Sequence, residues 1–216
     1  MASRKIPPPS IRLVESAATE LRCAEARAFV RAHVRHGGLW LVGASRGAVD
    51  DLARSVAREC GATIGLHRFS VTQLAARLAA PVLADARLAP ATYLGSEAVA
   101  ARATFEAQRD GSLNYFGPVA STPGFPRALA RTLQELRLAH VPSSSISVLP
   151  LGGSDLAVLL ERFEQQFSEA SATDRATLFS AATRVLRARP SPTSSDSSRD
   201  AGVPLLLLDV PFDSPV

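Results

Sequence analysis

The 216 residues carry a net charge of +4, but only 20% of them are charged and 46% are apolar. That length supports one sizeable α/β domain, or a domain with a subdomain. Lys5 is the only lysine, aromatic residues are scattered at 6%, and apolar runs such as Leu205–Leu208 are strand-sized. These features argue against lysine-dependent catalysis in the body of the chain, a base-stacking platform and a membrane span.

The N-terminal ten residues are polar and proline-rich, with no apolar core of a secretion signal. Cys23 and Cys60 have no metal-ligand spacing, and a reducing cytoplasm is the expected location. Ile11–Val14 reads as a short strand. A helix is expected from about Glu20 to Arg35, with Ala26, Phe29, Val30 and Val34 on one face and Arg27, Arg31 and Arg35 on another. Gly37-Gly38 should end it. Leu39–Val42 reads as an apolar strand, followed by the loop Gly43-Ala44-Ser45-Arg46-Gly47 and a helix from about Val49 to Glu59. A strand near Ile64–Arg68 follows. Ser70 and Gln73 then form a capping box opening a helix over Val71–Ala79.

The middle is helical: Gly95–Asp110, Phe125–Ala139, Asp155–Ser168 and Asp174–Arg187. The segment 189–202 is rich in Ser, Pro and Asp and reads as a flexible linker. An apolar strand returns at Val203–Leu208. The expected fold class is α/β: a parallel sheet of degenerate P-loop, helicase-like type with an inserted all-helical subdomain. Residues 1–94 form the α/β half, 95–188 the insertion, and 203–216 the returning core strand, placed parallel to Leu39–Val42.

A strand, a glycine-bearing loop and a helix form the usual phosphate cradle, because N–H groups at a helix start attract anions. The loop admits three readings. An active P-loop needs a lysine for the β/γ-phosphates and a Ser or Thr for magnesium. Ala48 and Val49 occupy those positions, and the glycine spacing is one residue short. The string Gly-Ala-Ser-Arg-Gly is also familiar from short-chain dehydrogenases. That family calls for glycine where Val49 stands and for a Tyr-x-x-x-Lys pair. Glu97 follows Tyr93 at that distance and Val119 follows Tyr115, so an NAD(P)-dependent reductase is only the alternative. The preferred reading is a phosphate loop kept for structure, with Asp50 and Asp51 in the first helical turn where an anion would sit. Leu205–Leu208 followed by Asp209 has the form of a Walker B strand, although Val210 replaces the usual second acid.

The stretch Leu41–Arg54 resembles the start of B-subunit-type helicase–nucleases of the AddAB class. His67–Leu74, Thr122-Pro123-Gly124-Phe125 through Glu135-Leu136-Arg137, and Asp174-Arg175-Ala176 are similar to the same family. The resemblance spans Ile11–Pro215 and implies that this chain is the first part of a much longer protein, with a truncated product or fragment as the expectation. It implies a non-catalytic, helicase-like region of a DNA-repair and recombination protein whose exonuclease of PD-(D/E)xK type lies elsewhere. No activity and no cofactor are expected from this chain alone. Its partners would be DNA, bound weakly and without sequence preference, and a helicase subunit. Arg27, Arg31 and Arg35 are the candidate phosphate contacts, with a solvated arginine face as the competing reading. His33 and His36, spaced i, i+3, lack further ligands and read as ordinary surface or core histidines, so no metal is expected.

Overall fold

The computed structural model describes residues 11–34, 38–188 and 203–211. The chain is α/β and 61% helical over these residues, with a small parallel sheet of three strands. None of their helices is long and apolar enough to cross a membrane. Two compact units divide between Leu74 and Ala75. The first contains the described residues up to 74 together with 203–211. The second covers 75–188.

In the first unit, helix α1 (Thr19–His33) is followed by strand β1 (Leu39–Gly43), helix α2 (Arg46–Cys60), strand β2 (Leu66–Ser70) and the start of helix α3 (Val71–Asp85). All five residues of β1 are buried, as expected of a central strand in a parallel sheet. Strand β5 (Leu205–Leu208) lies on the other side of β1 from β2, giving the order β2-β1-β5. Its register pairs Trp40 with Leu205 and Gly43 with Leu208, all parallel. Leu39 and Leu41 pack with Ala26 and Val30 of α1, with Val34 just past its end, and with Val49, Leu52 and Val56 of α2. Burying these branched side chains supplies the unit's main stabilisation, roughly 1.5–3 kcal/mol for each large one.

The second unit contains α4 (Tyr93–Arg109), α5 (Phe125–Leu138), α6 (Ser143–Ser147), α7 (Gly153–Glu169) and α8 (Arg175–Ala188). Phe163, fully buried, sits with Leu133, Ile146, Leu159, Leu160 and Phe167 at the centre of its core. A two-residue parallel pair joins β3 (Ala89–Pro90) to β4 (Ala172–Thr173).

Several expectations about element bounds change. Ile11–Val14 forms no strand: Ile11 and Leu13 are 98% and 86% exposed, and no strand among the described residues pairs with them. β2 starts at Leu66 rather than Ile64, because Gly65 turns the chain at φ 77° and leaves Ile64 outside. α2 starts at Arg46, three residues early. α3 runs through Pro81 to Asp85 instead of ending at Ala79. Proline removes one N–H, but its ring lies on an exposed side of the helix, while Leu78, Ala79 and Leu83 hold the buried side. The Ser70–Gln73 capping box is present in both directions: Gln73 Oε1 accepts from Ser70 N–H at 3.0 Å, and Ser70 Oγ accepts from Gln73 N–H at 3.3 Å. The linker expected over 189–202 lies outside the described residues.

Candidate functional site

Only Ala44 and Ser45 separate the end of β1 from the start of α2. Ser45 has extended backbone and caps the helix, its Oγ accepting from Ala48 N–H at 3.2 Å. One first-turn donor that a phosphate could use is therefore already satisfied. The early start also moves Asp50 and Asp51 out of the first turn, which contains no acid. The expectation that these aspartates fill the anion position fails for that reason: the serine cap fixes the start of the helix upstream of them.

Asp50 has other partners. Arg46 Nε donates to its two oxygens at 3.2 and 3.3 Å, and Arg68 Nη1 lies 3.0 Å from Oδ1. Arg46 also donates to the Arg68 carbonyl at 2.6 Å. The charges around the loop are thus spent on one another and tie α2 to β2. Asp51 pairs with Arg54 at 2.6 Å.

The two glycines of the loop differ. A Cβ on Gly43 would lie 2.9 Å from Val49 Cγ1, and Val49 is fully buried. Gly43 is needed for close packing of the strand end on α2. Gly47 has open space, with Ser45 Oγ at 3.8 Å as its nearest neighbour; nothing in the structure explains its glycine. Ala44, Ser45, Arg46 and Gly47 are exposed.

The register of β5 brings Asp209 level with the loop, one residue beyond the pair of Gly43 and Leu208. Its backbone is left-handed, φ 46°. Arg22 of α1 holds the carboxylate through Nε–Oδ1 at 2.9 Å and Nη2–Oδ2 at 3.3 Å. This hydrogen bond raises the Arg22 guanidinium above its ordinary pKa. Both oxygens that a Walker B aspartate would offer to magnesium and water are engaged by a guanidinium.

The arginine stripe is also partnered. Arg27 Nε lies 3.6 Å from Glu59 Oε1 and Arg31 Nη1 contacts Glu59 Oε2, so both side chains join α1 to α2. The helix ends at His33, short of Arg35, which lies outside the described residues along with His36. His33 Nδ1 is 2.8 Å from the Phe29 carbonyl, so that nitrogen donates. Among the described residues, no group of three His, Cys, Asp or Glu could hold a metal.

The best-built polar cluster is one that the sequence does not single out. Asp174, with 1% of its side chain exposed, accepts from Arg137 Nε at 2.5 Å, from Arg137 Nη2 at 3.3 Å and from Thr177 N–H at 3.0 Å. Arg137 also contacts Glu164 and donates to Thr177 Oγ1 at 3.1 Å. No spacing or motif in the sequence links Arg137 to Asp174, which lies 37 residues away. Asp155, buried in the first turn of α7, accepts from Phe116 N–H at 2.9 Å and pins the turn-rich segment before α5. Both sites engage their carboxylates in internal hydrogen bonds that tie neighbouring elements together. No family model matches the chain, and no curated protein is a significant match.

Proposed function

We propose that this chain is a non-catalytic, helicase-like region of an AddB-type DNA-repair nuclease subunit, in which a degenerate phosphate loop serves as architecture. In this reading the helices between β2 and β5 are a subdomain inserted into a P-loop-type sheet. The observation that carries it is the state of the loop: Ser45 caps α2, Gly43 packs on buried Val49, and Asp209 is bound by Arg22. A nucleotide-hydrolysing loop keeps those groups for phosphate and magnesium. The role left is to hold a DNA channel and to contact a helicase subunit. Nothing in the geometry favours the reductase alternative, whose Tyr-x-x-x-Lys pair has no lysine to use.

The direct test is steady-state phosphate release from ATP with DNA present. No turnover is expected. A rate in the ordinary enzyme range of about 1–1000 per second would overturn the proposal.

A second experiment addresses DNA. Binding through arginines and phosphates is independent of sequence and weakens as salt rises. Replacing Arg27 and Arg31 together by Gln should lower the log–log salt slope by roughly one for each phosphate that is no longer neutralised. The fold should survive, because exposed ion pairs such as those to Glu59 contribute only about 0–1 kcal/mol. An unchanged slope in the folded double variant assigns both arginines to the α1–α2 junction alone.

A further inference from the structure

The turn that closes α3 builds an apolar wall in the helical unit. Arg87 has left-handed backbone, φ 55°, and its N–H donates to the Ala84 carbonyl at 3.0 Å, while the Leu88 N–H returns to the Leu83 carbonyl at 2.8 Å. These two bonds make a Schellman closure, in which the residues at the positions of Leu88 and Leu83 come together. The wall is fixed to the residues that lead into α8, because Ala89 pairs with Ala172 and its N–H donates to the Ser171 carbonyl at 3.1 Å.

Thr177, Ser180, Ala181 and Arg184 stand opposite, spaced i, i+3, i+4 and i+7 on one face of α8. Three of these side chains are short, and a cleft of about 330 Å³ remains between them and Val82, Leu83 and Leu88. The cleft is graded. Leu83 and Ala181 are buried, Val82, Leu88 and Thr177 are half-buried, and Ser180 and Arg184 are exposed. It therefore has an apolar floor and a polar mouth. Arg184 is the one charged residue among those that line it, and no acid does. Among the described residues, the Arg184 side chain has no hydrogen-bond or ion-pair partner, in contrast to Arg137 on α5 and Arg162 on α7.

We infer that this cleft binds a small monocarboxylate with an apolar body. The apolar part fills the floor, and the carboxylate meets Arg184 at the mouth. A guanidinium fork matches a carboxylate in two parallel bonds. One cation balances one negative charge, whereas a phosphate monoester brings about −1.5 to −2. Ligand clefts span roughly 300–1000 Å³, so this one is at the small end and suits a ligand well below the size of a nucleotide. Thr177 and Arg184 are about 10 Å apart along α8, the reach of a medium-length chain. The inference is independent of the role proposed above and stands or falls separately from it.

Octanoate is the probe, with 1-octanol as the same chain without charge and octyl phosphate as the same chain with more. In a titration of the full chain followed by NMR, octanoate should shift the signals of Leu83, Leu88 and Ala181, with a dissociation constant of about 0.1–1 mM. Octanol should bind about ten-fold more weakly, and octyl phosphate no more tightly than octanoate. Arg184→Gln should weaken octanoate to the level of octanol and leave octanol unchanged. Ser180→Phe should block the mouth and remove both. Octanoate that binds no better than octanol, that shifts other residues instead, or that is insensitive to Arg184→Gln would each overturn the inference, as would tighter binding of octyl phosphate. If Ser180→Phe does not fold, the comparison of the three probes on the native chain decides alone.

Discussion

Replacing Arg137 by Ala is expected to cost the helical unit about 3–5 kcal/mol at neutral pH, a fall in melting temperature of roughly 10–20 °C. Asp174 has 1% of its side chain exposed, and Arg137 supplies its only charged partner among the described residues. Without the guanidinium, the buried carboxylate would lose its charged partner and keep only its bonds from the backbone and side chain of Thr177. In the native chain, burial by itself would raise the Asp174 pKa, but the bonds and charge of Arg137 outweigh it and hold the carboxyl below its ordinary value. A folded-state pKa below the unfolded one contributes stability that is present above the unfolded value of about 3.9 and is lost as pH falls through the folded value. Removing Arg137 leaves burial, the largest influence and one that raises the pKa, opposed only by the Thr177 bonds, so the stabilising shift is lost. The deficit of the variant should therefore be smallest near pH 3 and reach its full size by pH 7. Urea titrations across that range, followed by circular dichroism, measure it. A loss under about 1 kcal/mol at pH 7 would show that the pair contributes no more than an exposed one.

Gly43→Ala is expected to cost about 1–3 kcal/mol through overpacking. Its new methyl would stand 2.9 Å from Val49 Cγ1 and 3.5 Å from the Leu208 carbonyl oxygen, where β1, α2 and β5 converge. Val49→Ala alone leaves a hole and should cost about 2 kcal/mol, between the values for smaller and larger truncations. The two together should cost less than their sum by about 0.5–3 kcal/mol, because the alanine at 49 makes room for the one at 43. A phosphate-cradling glycine gives a different outcome: Gly43→Ala would leave stability unchanged and weaken anion binding. A double-mutant cycle in denaturant separates the two.

Helices are the most legible elements in the sequence, because their apolar faces repeat over many residues. Leu129 and Leu133 of α5 line the core as their spacing implies, with Leu136 packed beside it. The strand at Leu205–Leu208 is readable from its apolar run, and its place beside β1 follows from the α/β pattern. Boundaries are less legible. The start of α2 depends on whether Ser45 or the acids at 50 and 51 govern the first turn, and a local serine cap prevails over charge. Ile11–Val14 reads as a strand by composition alone, and a strand needs a neighbour that sequence does not supply. The candidate site is half legible. Missing catalytic side chains at 48 and 49 can be read directly. The capture of Asp209 by Arg22 cannot, since the two are 187 residues apart.

That separation also orders events in time. β1, α2 and β2 leave the ribosome early, but β1 lacks one neighbour until residues 205–208 have been made. The intervening helices pack on one another over shorter separations in sequence than β1 and β5 and can collapse earlier, whereas a pairing this distant is slow to find. An already folded helical unit shortens the effective loop that β5 must close, which lowers the entropic cost of the closure. Of the two units, the N-terminal one is therefore completed later although its first residues are the earliest to be made, and a ribosome stalled before residue 205 would hold a sheet with β1 at an open edge.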